Sequence, residues 1–526
     1  MRAGASRRAR WSSAPLTREP HTMASPKLRV LLDLSMACRG YCGIAQDVRL
    51  LYKTLSTCQD VEVTGLIYPP QKLAARHRFR SRRASRADRL ANQAEFLWAL
   101  GTNGLDWRQL RPWRDIEHLR ILAATFLARR PRFEPLEAEA MQHAIWRTMF
   151  AQTLSAADMP LVSGGRFVLA NLSDGMVFAR GLTRRRPVRL NTRGYDFLIV
   201  QGPRTFRTSR HTRQIVRYHD MIPLVAPDTM GNPWVIGWHH QAICQSRDSF
   251  FVCNSEPTRD ELTAIYPDLE GRSATIPYAL SDVYRPQRNP QMACAVIGAR
   301  RSALSDDDAP RSPVRVGRYI MCVSRLEPRK NFDGLMRAFK IAKSQADVRD
   351  RLGDLKLLIV GSGGWKYQPI LNMMRGLVRR GELVHLEDVT AEELRVLYTH
   401  AEAFVFPSHA EGFGFPPLEA MQCGTPAIVS DIPAHRWVLG DAALYCNPHD
   451  ATSIAAAIRR LAASSESSAL RVELMARAQK RLELYALGRC RDLWVELLHR
   501  LKHERSTASG EAAGRAGGCV PCGQAA

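Results

Sequence analysis

Short apolar runs that end in Gly or polar residues recur along the chain, each followed by a stretch with helical periodicity. The first is Lys27-Leu-Arg-Val-Leu-Leu-Asp33, succeeded by Gly40, Gly43 and the amphipathic stretch Ala45 to Leu55. This order predicts a strand, a glycine-bearing loop and a helix. The same grammar returns at Asp196 to Gly202, Gln214 to His219 and Ser249 to Asn254. After Arg318 it resumes at Tyr319 to Ser324, Lys356 to Gly361, Leu383 to Leu386, Ala403 to Phe406 and Pro426 to Ser430. Strands alternating with helices predict an α/β chain of parallel sheets covered on both faces.

A chain of 526 residues exceeds what one core supports, so two Rossmann-like domains are expected. The first spans 24–286 and the second 314–481, joined by an irregular linker over 287–313 and followed by a helix over 482–505. Between about 71 and 160 the strand grammar gives way to Arg- and Ala-rich stretches carrying Trp98, Trp107, Trp113 and Trp146, read as a helical insertion in the first domain. Residues 1–23 read as a disordered basic leader without the apolar core of a secretory signal, with Met23 as an alternative start. Residues 506–526 read as a disordered tail. No run of about 18 apolar residues occurs, so no membrane span is expected.

The formal net charge of +24 favours a polyanionic partner: nucleic acid, anionic lipid or a phosphorylated substrate. The densest basic run, Lys72 to Arg89, suits a solvated element or peripheral contact with an anionic membrane. No nucleic-acid signature accompanies it, so nucleic acid is not expected as a partner. The 12 cysteines form no four-ligand zinc spacing, which fits reduced thiols in a cytoplasmic protein. Asp306, Asp307 and Asp308 read as a solvated acidic turn rather than a metal site, because no strand precedes them.

Two segments carry chemistry. In Phe406 to Gly424, Glu411 leads into Gly412 and Gly414, Pro416 and Pro417 open a helix and Gly424 closes it. The amides of Phe413, Gly414 and Phe415 then face the same space as a helix amino terminus, where anions are favoured. Glu411 and Glu419 bracket that space, and carboxylates beside a diphosphate suit sugar hydroxyls, whose hydrogens they accept. In Ser324-Arg-Leu-Glu-Pro-Arg-Lys-Asn331, Arg325 and Lys330 stand at a strand's carboxyl end, where open parallel sheets bind ligands. They provide side-chain cations for a departing diphosphate without a metal.

These residues resemble the retaining glycosyltransferases of family 4, and within them the bacterial mannosyltransferase-like group that builds O-chains and exopolysaccharides. The likeness rests on Leu326 to Asn331, Val360 to Trp365, Glu411 to Pro426 and Gly440 to Leu444, with scattered pieces over Lys27 to Tyr284. It implies the GT-B fold, two Rossmann-like domains facing across a cleft. It also implies a hexosyltransferase that uses a nucleotide sugar, with GDP-mannose the preferred choice, and a saccharide acceptor that includes polyprenyl-diphosphate-linked forms. No cofactor or metal is implied; the expected location is the cytoplasm, with peripheral contact at the inner face of the cytoplasmic membrane suggested by the basic run. By the same resemblance Arg325 and Lys330 bind diphosphate, Glu411 lies near the donor sugar and Glu419 holds the ribose hydroxyls. His219, in the segment that continues with Asp220, lies beside the transferred sugar. The loop containing Gly43 closes over the donor and Asn254 to Glu256 face it. The chain departs from the family at Trp437, where a Glu is usual, and in the Arg-rich insertion. A GT-B nucleotide-sugar 2-epimerase and a non-catalytic basic scaffold are the alternatives.

Overall fold

The computed structural model describes residues 27–40, 42–68, 85–101, 131, 133–170, 172, 177, 187–302, 304, 314–344, 353–462 and 467–516. Two sheets organise them. The first contains β1 (Leu28–Asp33), β2 (Val61–Ile67), β3 (Phe133–Pro135) and β4 (Arg166–Ala170). After β5 (Val188–Arg189) come β6 (Phe197–Gln201), β7 (Phe206–Arg207), β8 (Arg213–Tyr218), β9 (Phe250–Cys253) and β10 (Ser273–Thr275). The order across the sheet is β10-β9-β8-β6-β1-β2-β4-β3, while β5 and β7 pair separately. All pairings in the large sheet are parallel except β3 with β4.

The second sheet contains β11 (Tyr319–Val323), β12 (Lys356–Val360), β13 (Leu383–Leu386), β14 (Ala403–Phe406), β15 (Ala427–Ser430) and β16 (Leu444–Cys446). They lie in the order β13-β12-β11-β14-β15-β16, and every pairing is parallel. Counted from β11, this is the doubly wound order, which reverses direction between β11 and β14 and opens a crevice at their carboxyl ends. In the first sheet the same reversal falls between β1 and β6. The central strands are buried from end to end, as β6, β9, β14 and β15 show, because helices cover both faces. The helix Gly43–Ser56 is one of these covers, burying Ala45, Val48, Leu51, Tyr52 and Leu55.

Three expectations about organisation change. The stretch read as a helical insertion holds helices at Arg86–Gly101 and Ala138–Ile145, but also β3, which forms an antiparallel edge of the first sheet. Residues 290–299, inside the expected linker, form a helix: the Asn289 side chain caps the Met292 amide at 2.9 Å and Pro290 occupies the first turn. Arg300, just beyond it, pairs with Glu393 at 2.9 Å, fastening the segment to the second lobe. The last helix, Leu487–Ala516, continues through much of the expected tail. It returns to the first lobe, where Arg213 pairs with Glu504 at 2.9 Å, Lys502 pairs with Asp196, and Trp494 lies 5.6 Å from the Arg217 guanidinium. The leader, Asp306 to Asp308, Trp107, Trp113 and Lys72 to Arg83 lie outside the described residues. No helix among the described residues is long and apolar enough to cross a membrane.

Candidate functional site

The reversal of the second sheet brings together the loop after β11 and the loop after β14. The first carries Arg325 to Lys330 and the second carries Glu411. Lys330 Nζ lies 2.6 Å from Glu411 Oε1, and Arg329 Nη1 lies 2.8 Å from Oε2 and 2.6 Å from the Ala410 carbonyl. All three side chains are largely buried. Burial pulls the Glu411 pKa upward, but the two cations outweigh it and hold the carboxyl well below its usual range. Burial and then the neighbouring Arg329 charge lower the Lys330 pKa. Asn331 adopts a left-handed φ of 57° and donates to the Pro407 and Pro448 carbonyls at 3.0 and 2.7 Å, which ties the two loops together.

Gly414, with φ 94°, caps the helix Phe415–Gln422. Just behind it stands His435, fully buried, its Nδ1 at 3.0 Å from the Ser430 carbonyl and its Nε2 without a hydrogen-bond partner among the described residues. Ser408 Oγ is buried without a partner too. Buried polar atoms are normally satisfied, so orphans beside a crevice mark positions a ligand's polar groups can fill.

The first lobe contributes the carboxyl end of β8. Arg217 is fully buried and pairs with Asp47 at 3.0 Å, while its Nη1 donates to the Ile276 carbonyl at 2.6 Å. His219 follows, with Nδ1 2.6 Å from the Tyr278 hydroxyl and Nε2 buried without a partner. Burial, then Arg217 and Arg204, lowers its pKa to about 3, so the imidazole is neutral at physiological pH. Asn254 donates to the His219 carbonyl at 2.7 Å and to the Tyr278 hydroxyl at 2.9 Å. Asp220 lies beside this pair, its pKa raised by burial against the opposing pull of Arg329 from the other lobe.

Contacts from several elements cross the cleft. Ser255 Oγ and Thr258 Oγ1 donate to the Gly412 carbonyl at 2.8 and 3.3 Å. Trp365 Nε1, from the loop after β12, donates to the Thr229 carbonyl at 2.7 Å. The Tyr278 ring stacks on Phe415 at 4.8 Å and lies 4.6 Å from Phe413. Gln46, on the first-lobe helix, donates to Glu419 Oε1 at 2.9 Å, while Tyr398 donates to Oε2 at 3.2 Å. Burial pushes the Glu419 carboxyl up to about 7 against these two hydrogen bonds.

The geometry thus gathers Lys330, Glu411, Gly414, His219 and Asp220 about one cleft. Gly43 lies at its rim, where an added Cβ would stand 3.4 Å from the Phe415 ring. Phe413 and Phe415 are buried as rings beneath Tyr278. Glu419 has Gln46 and Tyr398 as partners rather than a basic neighbour on its own helix. Arg325 is set apart from the Glu411 cluster: its side chain is half exposed, and its ion contact is Glu327 at 3.8 Å. The cation that shares Glu411 with Lys330 is Arg329, which sequence reading passed over although it adjoins Lys330. Tyr278 was missed as well, and no local motif announces it. No group of three or more His, Cys, Asp or Glu side chains among the described residues could hold a metal ion. A cavity of about 990 Å³ lined by Arg29, Glu62, Arg166 and Arg193 lies at the opposite, amino edge of the first sheet.

Residues 310–481 match the model for glycosyl transferases group 1. The chain is 29% identical over 268 residues to O-antigen chain mannosyltransferase B of Escherichia coli, an alignment covering 51% of this chain and 65% of that protein. It is 37% identical over 144 residues to O-antigen chain mannosyltransferase RfbU of Salmonella typhimurium, covering 27% of this chain and 38% of the relative. The chain thus spans less than two thirds of the length of these relatives. Among solved structures, sucrose-phosphate synthase from Thermosynechococcus elongatus superposes with a TM-score of 0.53 at 14% identity, over 90% of this chain and 99% of that one. HepE of Anabaena, solved with UDP and glucose, gives a TM-score of 0.50 at 13% identity, over 90% and 100%. The chain therefore has the two-lobed GT-B fold, is homologous to O-antigen mannosyltransferases, and carries in residues 310–481 a group 1 glycosyltransferase domain.

Proposed function

We propose that the protein is a retaining glycosyltransferase that moves a hexose, mannose from GDP-mannose, onto a saccharide acceptor in bacterial surface polysaccharide synthesis. The observation that carries this reading is the Lys330–Glu411–Arg329 cluster at the reversal of the second sheet, facing His219 of the first lobe. The likeness to O-antigen mannosyltransferases supports the choice of sugar.

In this reading the donor lies against the second lobe and the acceptor against the first. As the carbon–oxygen bond to the diphosphate breaks, positive charge develops on the sugar and negative charge on the leaving oxygens. Lys330, with Arg325 at the cleft mouth, meets the leaving charge, aided by the helix that starts at Phe415. Glu411 holds Lys330 in place and accepts from donor-sugar hydroxyls. The acceptor hydroxyl enters from the face the diphosphate leaves, and a phosphate oxygen takes its proton, so no covalent enzyme intermediate forms. His219 orients the sugar and carries no proton, as its low pKa supports. Glu419 receives the ribose hydroxyls. Diphosphate charge is met by side chains, without a metal or other cofactor.

The acceptor is proposed to be lipid-linked, through a polyprenyl diphosphate, and the enzyme to work peripherally at the inner face of the cytoplasmic membrane. The net charge of +24 and the basic run Lys72 to Arg89 support this placement. Screening nucleotide sugars by thermal stabilisation tests the donor, because a ligand at 100 times its Kd adds about 2.7 kcal/mol. GDP-mannose is expected to raise Tm most. Stabilisation by none of them defeats the reading, and donor turnover without any acceptor would indicate epimerisation instead.

A further inference from the structure

The tyrosine beneath the cleft belongs to neither nominated loop, yet it touches both. Tyr278 is buried, its ring stacked between lobes on Phe415 at 4.8 Å and 7° and lying under the Arg217 guanidinium at 4.7 Å. With the ring fixed on two sides, its hydroxyl has one place to be. Two groups meet it there, His219 Nδ1 at 2.6 Å and Asn254 Nδ2 at 2.9 Å.

The direction of these hydrogen bonds follows by elimination. The His219 carbonyl can only accept, so the Asn254 atom 2.7 Å from it is the amide nitrogen. That nitrogen has two hydrogens, one for the carbonyl and one for the Tyr278 oxygen. The Tyr278 hydroxyl therefore accepts from Asn254, and its own hydrogen goes to its other neighbour, His219 Nδ1. The reverse arrangement would leave the tyrosine proton without an acceptor in a buried site, which is costly. With Nδ1 accepting, a neutral ring carries its hydrogen on Nε2, the atom that is buried and has no partner among the described residues.

We infer that Tyr278 is a positioning residue that holds His219 in its Nε2–H form, so that the histidine offers a hydrogen-bond donor to an oxygen of the transferred sugar. The inference rests on the reading that the sugar lies beside His219. It gives Asn254 a role, the outer end of a relay that fixes the imidazole, and it makes the relay depend on the second-lobe rings Phe413 and Phe415.

Tyr278→Phe keeps the ring and its stacking and removes only the hydroxyl. A fall in kcat of about tenfold is expected, with the donor KM within about twofold. In a His219→Gln background, whose amide NH stands in for Nε2–H, adding Tyr278→Phe is expected to change kcat by less than about twofold. Equal losses in both backgrounds would make the tyrosine a merely structural residue and overturn the proposal. The tautomer is read directly from full-length protein carrying ¹⁵N-labelled histidine, the His219 signals identified by their loss in His219→Gln. Nε2–H in the wild type, lost or mixed in Tyr278→Phe, supports the proposal; Nδ1–H or a doubly protonated ring in the wild type overturns it. Absence of transfer by the wild type with every nucleotide sugar would defeat the functional reading alone, since the tautomer readout needs no turnover.

Discussion

The backbone carbonyl of His219 occupies the place a side chain on Gly412 would need: a Cβ built there would stand 2.2 Å from the oxygen and 2.9 Å from the Asp220 Cβ. The first-lobe histidine loop and the second-lobe glutamate loop thus meet backbone to backbone. Gly412→Ala should force them apart by more than side chains can absorb, since backbone cannot rotate away. Turnover should drop on the order of a hundredfold, while the circular dichroism of the folded protein stays near wild type because Gly412 lies in no strand or helix. Steady-state kinetics with a circular dichroism spectrum checks this.

Lys330 and Arg329 share one carboxylate, which makes their loss unequal to that of an exposed pair. Lys330→Ala should leave Glu411 compensated by Arg329, so the protein stays folded. Transition-state charge on the diphosphate would lose its buried cation, with kcat falling on the order of a hundredfold or more. Wild-type rates from this variant, measured by release of nucleoside diphosphate, would refute the assignment. Arg325→Ala should act mainly on donor KM, since its side chain is half exposed and outside the Glu411 cluster.

The Glu419 carboxyl sits at about 7 rather than near its ordinary 4.5, because burial outweighs the hydrogen bonds from Gln46 and Tyr398. An acid whose folded pKa stands above its unfolded one binds extra protons when folded between those values, so its contribution to stability declines as pH rises from about 4.5 to about 7. Ribose hydroxyls donate to a carboxylate, so nucleotide affinity should move the opposite way, rising between about pH 6 and about pH 8 with proton release. Isothermal titration in buffers of different ionisation heat measures both. Glu419→Gln should lose this pH dependence. His219, with a pKa of about 3, should contribute no acidic limb to the rate profile above about pH 4.

Asp47 and Arg217 form a fully buried pair at 3.0 Å beneath the histidine. Removing one partner strands the other charge, so Asp47→Ala should destabilise the chain by roughly 3–5 kcal/mol. Chemical denaturation reads this directly, and a loss under about 1 kcal/mol would show the pair to be solvated.

Strands buried on both faces were the most legible part of the chain. β6 and β12 announce themselves as unbroken apolar runs, whereas β2, Val-Glu-Val-Thr-Gly-Leu-Ile, hides behind Glu62 and Gly65. Gly65 is there for packing: a Cβ would meet Leu34 at 2.5 Å and Phe167 at 2.6 Å. The helix Pro290–Ala299 was signalled by Asn289-Pro290, a cap and a first-turn proline, but its neighbours' irregular composition masked it. At the site, Lys330 could be nominated because it stands at a strand's carboxyl end, Glu411 because it leads into a glycine-bearing loop at a helix start, and His219 through the family resemblance. Tyr278 could not, since its importance comes from contacts with residues 59 positions upstream and 137 downstream in the chain, His219 and Phe415. Arg329 was overshadowed by Arg325 because spacing alone does not show which arginine turns inward.

The central claim is transfer of a hexose with retention, the diphosphate charge met by the protein's own cations. The most direct measurement is a reaction of the purified full chain with ¹³C-labelled GDP-mannose and a mannose-terminated acceptor in excess chelator, with the new anomeric centre read by NMR. An α-linked mannosyl product formed at an undiminished rate is the predicted result. A β-linked product, or activity that chelation abolishes and manganese restores, would contradict it.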